Sequence, residues 1–271
     1  VINPEVFDTI EIGNSAGIAS LKYLPRTEST SDIAMSWIRG EDVPTPALVL
    51  TADQTRGRGQ QDRTWHSAPG NLAATWIFSG PVEPSKRAEW AGRISLAAAL
   101  ALYDTLACQL GESSLNLFIK WPNDIWLGKQ KISGILIETS PGTNCSYAVV
   151  GIGVNVNRPV SDIDPDFSPV AGSATSIRQH TGQAIDLTGL VIDLSRNLIQ
   201  RLESISGEQS GWESEYNSKL MSMNRQITIK TSNSELRGCC RGILPNGALQ
   251  VETATGIQIV SSGSLFPDSD S

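Results

Sequence analysis

The sequence predicts an α+β fold: a large domain over residues 1–224 and a small all-β domain over residues 225–271. Two textures carry this. In the first part, strand-like runs are interleaved with two long apolar helical stretches. From Arg225 onward, short β-rich runs alternate with turn residues and no helical period appears. A third observation is size, because 271 residues suffice for a large domain with a small companion and a full core.

Taken in order, "TPALVLTADQ" (45–54) reads as a strand leaving a Pro-containing turn, and "GNLAATWIFSG" (70–80) as a second strand flanked by glycines. A polar loop rich in Gly and Arg joins them. Residues 86–110, "KRAEWAGRISLAAALALYDTLACQL", predict a helix, since they are rich in Ala and Leu, lack Pro, and end before a Gly111 placed as a C-cap. Three strands are predicted next: "LNLFIKW" (115–121), "KISGILIETS" (131–140) and "YAVVGIGVNVN" (147–157). A second helix is predicted from about Leu187 to Ile205, with Asp186 as its N-cap. The tail, "RQITIKTSNSELRGCCRGILPNGALQVETATGIQIVSSGSLF", has Ser-Asn, Pro-Asn-Gly and Thr-Gly turns between its β-rich runs, the pattern of a small barrel or sheet. No repeat or low-complexity linker separates the two parts, so they are expected to pack together.

Composition narrows the function classes. An apolar fraction of 39% and a charged fraction of 18% are those of a globular chain. The formal net charge of −7 argues against a nucleic-acid partner, while leaving room for a local basic site. Four cysteines, Cys108, Cys145, Cys239 and Cys240, lack metal-ligand spacing and read as buried free thiols in a reducing compartment; Cys239 and Cys240 would point to opposite faces of a strand. The opening "VINPEVFDTIEIGN" has no secretory pattern, and the longest nearly apolar run, Ile94 to Tyr103, falls short of the ~20 residues that cross a bilayer. A cytoplasmic protein with no membrane partner is expected, in which the Asn144-Cys145-Ser146 sequon carries no meaning.

Three stretches could carry chemistry. In "QTRGRGQQDRTWHS" (54–67), Gly57 and Gly59 allow a tight turn and close approach to a ligand; Arg56, Arg58 and Arg63 offer forked donors suited to phosphate; and Trp65 offers a face for a purine. Gly-Arg loops are also often plain solvated turns, and neither standard phosphate-loop pattern is present. In "KWPNDIWLGKQKISGIL" (120–136), Pro122 favours an extended Trp121, so Lys120 and Trp121 end a strand and Asn123-Asp124 fall in the following turn. Ordinary turn chemistry explains Asn123-Asp124 alone, but Lys129 and Lys131 return just before an apolar run, and charge entering a core strand usually has a partner. In "GIGVNVN" (151–157), Gly151 and Gly153 share one strand face and leave a groove that Asn155 continues; a strand packed under a bulky neighbour would read the same way.

Together these stretches resemble the biotin protein ligases. That family is marked by a Gly-Arg-Gly loop ending in Arg-x-Trp, by Lys-Trp-Pro-Asn-Asp followed by a Lys-x-x-Gly-Ile-Leu strand, and by Gly-x-Gly-x-Asn. Here these read "GRGQQDRTW", "KWPNDIWLGKQKISGIL" and "GIGVN", in that order, with Ser29 and Thr30 of "TESTSD" matching an upstream Ser-Thr pair. The resemblance implies a mixed-sheet biotin/lipoate ligase-like catalytic domain with an SH3-like tail. The Ser-Thr motif begins close to the start of the sequence, so the implied type is monofunctional, without a winged-helix DNA-binding segment.

What the resemblance implies about activity is specific. Biotin and MgATP would give biotinyl-5′-adenylate and pyrophosphate, and a lysine of a biotin carboxyl carrier protein would then take the biotin. ATP and Mg²⁺ are the implied cofactors, biotin is the substrate, no protein-held metal site is implied, and the protein would be a monomer or weak homodimer. Arg58 and Lys131 would neutralise charge as the biotin carboxylate meets the α-phosphate, with Arg63 in support. Ser29, Thr30 and Gln54 would offer polar contacts to the ureido ring, and Gly57, Gly134, Gly151 and Gly153 backbone contacts to biotin, alongside Arg58 and Lys131. Trp65 would stack on adenine, with Asn123 and Asn155 near the nucleotide. Asp124 would orient the acceptor amine and accept its proton, and Lys120 would act in positioning around the same centre.

Two departures stand out. The family commonly has a second loop arginine and then a glycine, where this sequence has Gln60 and Asp62, so the adenylate is expected to be held less tightly. Two other functions fit less well. A lipoate or octanoate ligase would carry an Arg-Arg-x-Ser-Gly-Gly-Gly type signature not found here, and a biotin or adenylate sensor would not need the Lys120 to Asp124 motif. A hydrolase fares worst, because His66 and His180 sit in no nucleophile or ligand motif and read as surface or packing residues.

Overall fold

The computed structural model describes residues 6–60, 63–81, 83, 86–142, 144–162, 174–206, 211–231 and 234–267. Along the chain run α1 (Thr9–Ser15), β1 (Ser20–Thr27), α2 (Thr30–Gly40), β2 (Ala47–Gln54), the short β3 (Gly57–Arg58) and β4 (Thr64–Trp65), β5 (Leu72–Gly80) and α3 (Arg87–Leu110). Then come β6 (Leu117–Lys120), β7 (Asp124–Leu127), β8 (Gln130–Pro141), β9 (Ser146–Val154), α4 (Ile177–Thr181), α5 (Leu187–Ser206) and α6 (Trp212–Lys219). The tail holds β10 (Gln226–Lys230), β11 (Glu235–Ile243), β12 (Leu249–Thr253), β13 (Gly256–Val260) and β14 (Ser264–Pro267).

A seven-stranded mixed sheet, in the order β1-β2-β5-β9-β8-β7-β6, organises the first part; only β1 and β2 pair in parallel. Alternation along its central strands sends two sets of side chains to opposite faces. Leu72, Ala74, Trp76 and Phe78 of β5, with Ala148, Val150 and Ile152 of β9, meet α3 and α5 in the main core. Ile77, Tyr147 and Val149 face the other way, into a smaller cluster with Ala34 and Ile38 of α2. Helix α3 is long and apolar enough to cross a bilayer, the one such helix among the described residues, but 61% of its apolar window is buried within the protein. Ala97 to Leu102 are buried all round because the sheet lies on one side and α5 on another.

The tail folds as a five-stranded antiparallel sheet, β13-β12-β11-β10-β14. Its Ile227, Ile229, Leu249, Val251 and Leu265 join the same apolar cluster as Trp76 and Leu100, so the two parts pack together as expected. Trp121, 2% exposed, donates its indole N–H to the Gly247 carbonyl at 2.9 Å and so ties the "KWPND" segment to this sheet.

The predicted helices and strands recur with local corrections. Gly111 is the C-cap of α3 at φ 54°, and Asp186 accepts from the amides of Thr188 and Gly189 at the start of α5. The "LNLFIKW" strand begins only at Leu117, because residues 111–116 form a 3-10 turn. Asp124 lies not in a turn but at the start of β7, paired with Lys120 and Gly134; β6 already ends at Lys120, and the three residues Trp121, Pro122 and Asn123 reverse the chain. Strand β9 ends at Val154, which takes Asn155 and Asn157 out of the sheet. Of the four thiols only Cys240 is buried; Cys108 is exposed on α3, and all four are free.

Candidate active site

The floor of the site follows from strand register. Gly153 of β9 lies between Ala73 of β5 and Gly134 of β8, and Gly151 lies between Thr75 and Leu136. These residues share the face that further along carries Val149 and Tyr147 against α2. Where the side chains shrink to glycine, a narrow cleft of about 50 Å³ opens on that face.

One end of the cleft is polar and buried. Ser29 caps α2 by accepting from the Asp32 amide at 3.3 Å, which directs the first residues of the helix into the cleft. The Thr30 amide and hydroxyl both donate to Gln54 Oε1, at 2.9 and 3.0 Å. Thr75 Oγ1 donates to Thr30 Oγ1 at 2.8 Å and lies 3.3 Å from Ser31 Oγ. Rotatable hydroxyls and an amide held together in this way suit a small, neutral group with both donors and acceptors.

The other end is charged. Lys131 Nζ lies 2.6 Å from Asp124 Oδ1, brought there by a bulge between Ile125 and Trp126 that shifts the β7–β8 register. Asn123 exchanges hydrogen bonds with the Ile135 backbone at 2.5 and 2.9 Å. Beyond Lys131 the cleft continues into a second chamber lined by Lys120, Asp124, Arg63, Ser264 and Phe266. Lys120 Nζ stands 4.2 Å from the Trp126 ring centroid and 6.0 Å from that of Phe266. Burial is the main cause that pushes the Lys120 ammonium below the ordinary lysine range; Asp124 opposes it, while Lys131 and Arg63 add to it.

Ten of the predicted residues line the first chamber: Ser29, Thr30, Gln54, Arg58, Trp65, Asn123, Lys131, Gly134, Gly151 and Gly153. Arg63, Lys120 and Asp124 line the second, together with Trp65, Asn123 and Lys131. Gly57 sits behind the loop, where a Cβ would come within 2.4 Å of both the Gln54 amide and the Trp65 carbonyl. Asn155 lines neither chamber; it is 6% exposed and donates to the Thr175 carbonyl at 3.2 Å. Lys129 is exposed in the β7–β8 turn, so the partner expected for the returning lysines belongs to Lys131 alone. The Trp65 indole lies against the glycine floor, 2.3 Å from where a Gly153 Cβ would stand. Gln60 borders both chambers, and Asp62 lies outside the described residues.

Comparison with known proteins gives the family. Residues 23–155 match the Biotin/lipoate A/B protein ligase family, and residues 223–266 match the biotin protein ligase C-terminal domain. A biotin--[acetyl-CoA-carboxylase] ligase of Paracoccus denitrificans is 33% identical over 253 residues, 90% of this chain and 98% of that protein. This chain belongs to the biotin protein ligase family. A second relative, the biotin--[acetyl-CoA-carboxylase] ligase of Mycobacterium tuberculosis, is 26% identical over 94% of this chain and 91% of that protein. Among solved structures, the biotin protein ligase of Aquifex aeolicus in complex with biotin and ATP superposes with a TM-score of 0.73 at 21% identity, over 92% of this chain and all of that one. The Leishmania major biotin protein ligase in complex with biotinyl-5-AMP gives 0.55 at 22% identity, over 90% and 99% of the two chains. At these identities the likeness is one of fold: a mixed sheet with helices and an all-β C-terminal sheet.

Several residues of this biotin protein ligase cleft lie outside the three motif stretches. The α2 start was legible as a cap, Ser29 with Asp32 three residues on, ahead of Ile33, Ala34 and Ile38. Ser31 and Thr75 enter the polar end only through helix and strand register. Arg58 is clamped by Asp32 at 2.9 Å and by both oxygens of Glu138 at 3.0 and 2.6 Å. The Glu138 bonds chiefly raise its pKa above the ordinary arginine range, against the effect of burial. Ser264 accepts from Arg63 at 2.9 Å across 201 residues of chain, a contact no local pattern announces.

Proposed function

We propose that this ligase activates biotin with ATP to biotinyl-5′-adenylate and pyrophosphate, then transfers biotin to a lysine of a biotin carboxyl carrier protein. The observation that carries the reading is the Lys131–Asp124 pair, which stands where a polar, glycine-floored chamber meets a cationic one. Biotin has a neutral ureido ring at one end and a carboxylate at the other, and this gradient along the cleft suits it.

In this reading Ser29, Thr30 and Gln54 bind the ureido ring and Gly134, Gly151 and Gly153 let it lie against backbone. Lys131 meets the carboxylate and the α-phosphate, with Arg58 and Arg63 neutralising the anions around it. Gly57 lets the loop close against Gln54. Trp65 leaves the floor to stack on adenine, with Asn123 beside the nucleotide. Asp124 orients the acceptor amine, and Lys120 serves the same centre. Mg²⁺ would arrive on the ATP phosphates; among the described residues no group of three or more His, Cys, Asp or Glu offers it a protein site. Residues 1–224 would be the catalytic unit and 225–271 an SH3-like domain, in a cytoplasmic monomer or weak homodimer.

The test is ATP–pyrophosphate exchange with biotin, with lipoate and with no acid, repeated in Lys131→Ala. Exchange that needs biotin and collapses in the variant supports the reading. Exchange with lipoate alone would overturn the pocket assignments, and binding of biotin without exchange would make the protein a sensor.

A further inference from the structure

Transfer needs a proton acceptor, because an ammonium has no lone pair with which to attack an acyl group. Asp124 is a poor one in this geometry. Its carboxylate oxygen is already engaged by the Lys131 ammonium at 2.6 Å. Lys120 differs in every respect that matters. It ends β6 directly across from Asp124 in the register, its side chain lines the second chamber, and among the described residues no carboxylate lies within ion-pairing distance of it. Resting on the proposed function, we infer that Lys120, in its neutral form, is the base that takes the proton from the acceptor lysine in the second half-reaction.

The surroundings of Lys120 bear on its charge from each packed element. Asp124 on β7 favours the ammonium, as do the faces of Trp126 on β7 and Phe266 on β14. Lys131 on β8 and Arg63 in the loop disfavour it, and Lys230 on β10 stands 5.7 Å from the same Phe266 ring. Burial weighs against the ammonium most and leaves the amine easier to deprotonate than an exposed lysine.

The step balances simply. The acceptor ammonium gives one proton to Lys120 Nζ, and its freed lone pair forms the C–N bond at the adenylate carbonyl. The C–O bond to the phosphate breaks, the electron pair leaves with AMP, and the second amine proton passes to water in the open chamber as the amide forms. Lys120 then returns its proton to solvent through the open chamber.

The experiment is single-turnover transfer from preformed biotinyl-5′-adenylate to a purified biotin carboxyl carrier domain, followed against pH, with biotin-dependent ATP–pyrophosphate exchange as the common denominator for folding. Wild type should show transfer rising through one ionisation below the ordinary lysine value of ~10.4. Lys120→Arg keeps the charge but cannot lose its proton, so the ratio of transfer to exchange should fall about 100-fold or more and the rising limb should vanish. Asp124→Asn should retain a limb, displaced to lower pH because an anion that favoured the Lys120 ammonium is gone. A Lys120→Arg variant with the wild-type pH profile, or an Asp124→Asn variant with no limb, would overturn the assignment and return the base to Asp124. A wild-type protein without biotin-dependent exchange would overturn the parent reading and this one together.

Discussion

The Lys131 ammonium and the Asp124 carboxylate lie 2.6 Å apart on neighbouring strands, each about a quarter exposed, at the junction of two chambers. Each offsets part of the cost of the other's burial. The pair is therefore stable before substrate arrives and becomes a triad when an anion enters beside Lys131. Lys131→Ala should lower biotin-dependent exchange by about 10²–10³-fold, the usual loss for one electrostatic donor at a transition state. Lys131→Arg should retain more. Exchange rates of the two variants side by side decide this, and equal loss in both would mean that reach rather than charge matters.

Gly153 underlies the Trp65 ring with no space for a methyl group, a Cβ there lying 2.3 Å from the indole. Gly153→Ala should push the ring off the floor and narrow the cleft, raising the KM for biotin and ATP about tenfold, the size of a 1–3 kcal/mol overpacking cost. Unchanged KM values would mean that biotin does not lie against Gly153.

Gln60 borders both chambers and carries no charge where the family commonly has an arginine. Gln60→Arg should slow release of the adenylate about tenfold or more, as one added charge-assisted hydrogen bond allows. Trapping the intermediate after a single turnover measures it, and equal release from both proteins would contradict the expectation.

Arg201 on α5 bridges Asp104 on α3 and Glu215 on α6, with 2.7 Å contacts to both Glu215 oxygens. These contacts, the Arg201 bond first, hold Glu215 below the ordinary glutamate range against the effect of burial. A carboxylate with a lowered folded-state pKa stabilises the protein above its unfolded value of ~4.3 and loses that stabilisation as pH falls through the lower folded value. Arg201→Met should cost about 1–3 kcal/mol near neutral pH, and the gap from wild type should narrow in acid below pH ~4.3. Thermal unfolding at several pH values tests this; a gap independent of pH would place the cost in packing instead.

Much of the fold was legible because its signals are local. The Ala-rich run before Gly111, the cap at Asp186 and the alternation in "GNLAATWIFSG" each act within a few residues. Strands β1 and β7 and helices α1, α2, α4 and α6 were missed, since their packing comes from partners far along the chain. Asp124 was assigned to a turn because Pro122 and Asn123 read as turn residues; pairing with Gly134 makes it the start of a strand.

By itself the sequence determined which side chains gather near the cleft: the Gly-Arg loop, the "KWPND" segment and the alternating glycines each hold their chemistry within a dozen positions. Tertiary structure alone decided how those groups meet. The β7–β8 bulge aims Lys131 at Asp124, register puts Thr75 beside Thr30, Glu138 and Asp32 turn Arg58 toward themselves, and β14 carries Ser264 and Phe266 to the second chamber. The reason is physical: propensity and capping are properties of neighbouring residues, whereas register and strand order follow from burial summed over the whole sheet.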